Sequence, residues 1–128
     1  MKPTLKSLNV YIPLVLILGV IMNACVSDQI APKEIAVPDE VSFATDIVPI
    51  FESSCNQAGC HNNNGIPPVL TPEAAWVNLI FFNYVDTVNS ENSFLWTKID
   101  DGGSMAQYLS DEDKAFIFQW IEQDAPNN

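Results

Sequence analysis

The chain has 128 residues, sixteen of them acidic and five basic, and a formal net charge of −11. That length supplies one core rather than two. An acidic chain without a single arginine has no surface to neutralise phosphates, which excludes nucleic acid as a partner.

Lys2 and Lys6 precede an apolar run over residues 10–21, too short for a membrane-spanning helix and typical of an export signal. It ends in Met22-Asn23-Ala24-Cys25, which resembles the lipobox of bacterial lipoproteins. The resemblance implies cleavage before Cys25 and acylation of its thiol and new amino group. Residues 1–24 are then a lipoprotein signal peptide. Residues 25–41, with Pro32 and Pro38, are a lipidated tether, and 42–128 the folded domain. The protein belongs, on this reading, to the cell envelope, anchored to a bacterial membrane and facing periplasm or exterior. Cys25 also accounts for the odd count of three cysteines. Without the signal, the sixteen acids face only Lys33, Lys98 and Lys114, a net −13. Such a surface steers a basic partner toward it. It equally serves to keep an exported protein soluble.

Thr45 is placed to cap a first helix from Asp46 to about Ser54, with Asp46 at the positive dipole end and Pro49 in the first turn. Ile47, Ile50 and Phe51 make its apolar face. The helix leads into Cys55-Asn56-Gln57-Ala58-Gly59-Cys60-His61, which contains the only histidine of the chain. A Cys-x-x-Cys-His string is the attachment signature of c-type haem, and four intervening residues are a rarer form of it. Two thiols add across the two vinyl groups, and the histidine after the second supplies an imidazole nitrogen to iron. Asn56 and Gly59 suit the turn that the longer spacing demands. Two other readings use the same residues. One is a Cys55–Cys60 disulfide in an oxidising compartment. The other is a zinc site, which lacks a fourth ligand.

Residues 62–68 read as loop. Thr71 and Pro72 open a second helix, with Trp76, Leu79 and Ile80 inward. Ser90 caps a third over 91–99, with Leu95, Trp96 and Ile99 inward. Asp100 to Gly103 form a turn. Ser110 caps a last helix whose first turn holds Asp111, Glu112 and Asp113, and whose apolar face is Phe116, Ile117, Trp120 and Ile121. No strand alternation occurs, so the fold class predicted is all-α. Met105 is the only methionine beyond the signal. In a glycine-rich loop it is a candidate second axial ligand to iron, against the alternative of ordinary packing. Lys98 is a further ligand candidate at high pH. Trp76, Tyr84, Phe94 and Trp96 are candidate pocket walls or plain core.

Residues 43–51 with Cys55, Gly59, Cys60 and His61, then Gly103-Ser104-Met105 and Trp120-Ile121, resemble the monohaem class I-like c-type cytochrome domain of small bacterial lipoproteins. The resemblance implies a small helical domain wrapped around one covalent haem c per chain, with His61 and Met105 on the iron. It implies first and last helices packed across each other, and a proline carbonyl that accepts the His61 N–H. Pro68 of Pro68-Val69-Leu70 matches that proline, with Pro67 second. The chain departs from the family in its four-residue spacing and in Ala106, where proline often follows the methionine. The function implied is electron transfer to or from a redox protein, not catalysis. A peroxidase-like enzyme is weakened by the lack of a second histidine. The alternative is a colourless binding or structural lipoprotein stapled by a Cys55–Cys60 bridge.

Overall fold

The computed structural model describes residues 35–128. The predicted signal 1–24, the predicted acylation site Cys25 and the first part of the predicted tether lie outside the described residues. Those described contain no strand, and the unit is all-α.

Helical segment α1 spans residues 43–55 in three pieces: π-helical Phe43–Ile47, α-helical Val48–Ile50 and π-helical Phe51–Cys55. Its cap is Ser42, not Thr45. Ser42 Oγ accepts the Thr45 N–H at 3.4 Å, and Asp46 Oδ2 accepts the Ser42 N–H at 2.7 Å. The earlier start moves Pro49 from the first turn to mid-segment. Proline offers no N–H and its ring crowds the preceding turn. Wide turns accommodate it on both sides, with the Val48 N–H on the Phe43 carbonyl and the Asn56 N–H on that of Phe51.

The Thr71 carbonyl accepts the N–H groups of Ala74 and Ala75 at 3.0 and 2.8 Å. The chain therefore turns where Thr71-Pro72 predicts, but regular helix α2 is confined to Ala75–Phe81. The predicted helix over 91–99 is broken into a 3₁₀ turn, Ser90–Asn92, and α3, Phe94–Ile99. Ser93 breaks it. This residue is fully buried, its Oγ donates to the Tyr84 carbonyl at 3.1 Å, and it accepts the Asp86 N–H at 3.3 Å. A serine that bonds backbone outside its own helix gives the chain an alternative to continuing that helix. A second 3₁₀ turn, Ala106–Tyr108, leads to α4, Asp111–Glu122. There the predicted Ser110 cap is present as a capping box. The Asp113 N–H reaches Ser110 Oγ, and the Ser110 N–H reaches Asp113 Oδ2, both at 3.1 Å.

The core joins Ile47, Ile50 and Phe51 of α1 to Ile117, Trp120 and Ile121 of α4, all buried. The rings of Phe43 and Trp120 lie 5.3 Å apart and link the two segments. Beyond α4, Asp124 and Ala125 take positive φ of 65° and 47° and reverse the chain. The indole N–H groups of Trp76 and Trp120 hold this reversal, each 2.9 Å from the carbonyls of Ala125 and Pro126 respectively. The tail then satisfies free donors at the start of α1. Asn128 O accepts the Ala44 N–H and Asn128 Oδ1 the Phe43 N–H, both at 2.9 Å. The last residues of the segment read as tether also lie on this core. Val41 is fully buried, and its N–H donates to Gln123 Oε1 at 3.0 Å.

Candidate functional site

The end of α1, the following loop, α2, α3 and the turn before α4 enclose a cavity of about 450 Å³. That falls within the range of cofactor clefts, about 300–1,000 Å³. Its wall is mostly apolar, with Leu70, Leu79, Leu95, Ile99 and Leu109 among the lining side chains. Cys55, Cys60, His61, Pro68 and Met105 all line it. Cys25 lies outside the described residues.

α1 delivers Cys55 at its last position, and the loop to Cys60 is closed by main-chain bonds. The His61 N–H donates to the Cys55 carbonyl at 3.0 Å and the Cys60 N–H to Gln57 at 2.9 Å. Gly59 carries the turn at φ 82°, a conformation only glycine adopts freely. Asn56 does not share it, staying at φ −87°. Gln57 is the residue that sequence reasoning overlooked. Its Nε2 donates to the carbonyls of Glu52 and Ser53 at 2.6 and 3.2 Å, and so satisfies the C-terminal end of α1. Asn62 Nδ2 donates to the Gln57 carbonyl at 3.1 Å. The longer spacing is thus an ordered loop.

Both thiols are free. Burial pushes the half-buried Cys55 thiol up to about 11, and the negative charges of Asp113 and Cys60 add to the shift. This setting holds it in the protonated form at physiological pH.

The Nδ1 atom of His61 lies 3.0 Å from the Pro68 carbonyl oxygen and 2.9 Å from that of Ile66. Carbonyls only accept, so Nδ1 carries a proton, and in the neutral ring the lone pair then lies on Nε2. Two main-chain acceptors fix both tautomer and ring orientation. Pro68 rather than Pro67 is the proline involved. The second acceptor, Ile66, has no signal in the sequence, because any residue has a carbonyl.

The Met105 loop is tied to the end of α3. Its N–H donates to the Lys98 carbonyl at 2.8 Å. Gly103 lies so close to the same turn that a Cβ there would meet the Thr97 carbonyl oxygen at 2.8 Å. Of the candidate aromatic walls, Tyr84 and Phe94 line the cavity. Trp76 and Trp96 do not. The first binds the C-terminal reversal, and the second packs on Phe118 with ring centroids 4.5 Å apart. At the mouth, Ile66, Phe94, Met105 and Tyr108 are 62%, 49%, 38% and 56% exposed. Large apolar side chains gathered and exposed around one cavity mark a binding surface.

Among the described residues, no group of three or more His, Cys, Asp and Glu is placed to hold a metal ion. No described helix is long and apolar enough to cross a membrane. No family model matches the chain, and no curated protein or solved structure is significantly similar to it.

Proposed function

We propose that the cavity holds one covalently attached c-type haem and that the protein is a membrane-tethered electron carrier. One observation carries this reading. Cys55, Cys60 and His61 from one stretch of the chain and Met105 from a distant one line a single apolar cavity whose mouth leaves large side chains exposed. A disulfide-stapled structural protein has no use for such a cavity, whereas a disulfide-stapled binding lipoprotein would fill it with another apolar ligand.

The residues fit the group. Two free thiols at the wall are the partners for two thioether bonds. His61, with Nδ1 donating to Pro68 and Ile66, has Nε2 free for iron. Met105 would offer the iron a thioether sulfur from the cavity wall. When bound, haem supplies reversible one-electron chemistry. The chain holds the group by its cysteines, orients the imidazole through two carbonyls, and excludes water with Leu70, Leu79, Leu95 and Ile99. With His61 and Met105 both holding it, the iron would have no open site for a substrate, which favours electron transfer over catalysis. Nor is a second histidine present to act as acid or base. The acidic surface suits a redox protein with a basic docking face, and acylated Cys25 supplies the membrane anchor.

Serine substitutions test the attachment. In the exported chain, Cys55→Ser with Cys60→Ser abolishes the haem increment in the mass of the denatured protein, and either single change leaves one thioether at most. Haem retained covalently in the double variant would contradict the assignment.

A further inference from the structure

Among the residues that line the cavity, Lys98 is the only lysine, and no arginine, aspartate or glutamate joins it. It sits in the last turn of α3, half-buried, with Nζ 4.9 Å from the centroid of the Phe94 ring, another cavity wall. The other described lysine, Lys114, is matched with carboxylates. Its Nζ lies 2.9 Å from Asp101 and 3.7 Å from Asp111. Lys98 has no such carboxylate partner among the described residues, although the chain carries sixteen. A half-buried ammonium held beside an apolar cavity, and left without a counter-charge, is poised for an anion that arrives with the ligand.

We infer that Lys98 is a positioning residue that binds the carboxylate end of the occupant, which for haem is a propionate. This rests on the haem reading. It adds to it a fixed orientation: the thioethers hold the group at the Cys55–Cys60 loop, and Lys98 holds its acidic end. The Lys98 carbonyl also accepts the Met105 N–H at 2.8 Å. One residue therefore joins the anion contact to the loop that carries the second axial candidate.

The test uses the full exported chain, loaded with haem labelled with carbon-13 at the propionate carboxylates. Wild type, Lys98→Met and Lys98→Arg are compared by redox-difference infrared spectroscopy and potentiometry. Lys98→Met shifts the labelled carboxylate band and lowers the midpoint potential, because loss of a neighbouring cation favours the ferric state. Lys98→Arg restores both. An unchanged labelled band in Lys98→Met, with haem attached, overturns the inference and leaves the cytochrome reading intact. A wild-type chain without attached haem overturns both. Should Lys98→Met not accumulate, the structure of the loaded wild type decides. Nζ within about 4 Å of a propionate oxygen, the ion-pair distance, supports the inference, and Nζ on iron or on a protein carboxylate overturns it.

Discussion

The histidine that follows Cys60 owes its orientation to carbonyls rather than to side chains. That is why the candidate ligands were legible in the sequence and the support of His61 was not. Cys55, Cys60, His61 and Met105 stand out by residue type and scarcity. The Ile66 carbonyl and the Gln57 amide, which hold the loop in shape, belong to residues of no chemical distinction. Two predictions belong at this scale. Met105→Ala lowers the midpoint potential of the loaded protein and opens the iron to carbon monoxide or cyanide. A spectrum and a potential that do not move would remove Met105 from the iron. The second concerns Cys55, whose thiol is raised from its ordinary value near 9 to about 11. Between those values the unfolded haem-free chain ionises this thiol while the folded one keeps it protonated. Its contribution to stability is complete below about pH 9 and lost as pH rises toward 11. Urea unfolding across that interval is expected to show the loss in the haem-free chain. The loaded chain, with Cys55 in a thioether, lacks this contribution. An equal alkaline loss in both forms would mean that Cys55 stays a free thiol.

Elements governed by local chemistry were read best. The last helix carries its own start signal in Ser110 and three acids, and it begins there. Ser110→Ala removes an acceptor from the Asp113 N–H and is expected to cost about 0.5–2 kcal/mol. Denaturant unfolding measures this, and a change below a few tenths would show the capping box to be idle. Elements decided by distant partners were misread. α1 begins three residues early because, beyond the local Ser42 and Asp46 cap, the returning Asn128 satisfies the Phe43 and Ala44 N–H groups. The helix predicted over 91–99 breaks at Ser93 because that hydroxyl bonds Tyr84, nine residues back. Pattern within a segment carries no record of either contact. The break has a consequence for the site. It starts α3 at Phe94 and brings Phe94, Leu95, Lys98 and Ile99 to one cavity wall.

For the whole molecule, the small core of α1 and α4 is closed by the C-terminal reversal, and the cavity lies beside it with an apolar mouth. A chain of this size gains much of its stability from whatever fills such a space. The chain is acidic, with a net charge of −11, so on the proposed function electron exchange with a basic partner should slow as ionic strength rises. The central claim, a covalent haem in the cavity, is tested most directly by the intact mass and reduced optical spectrum of residues 25–128 exported with haem maturation machinery. The account predicts a haem-sized increment that survives denaturation, with sharp low-spin bands. A colourless chain, lighter than its reduced mass by the hydrogens lost in a Cys55–Cys60 disulfide, would contradict it.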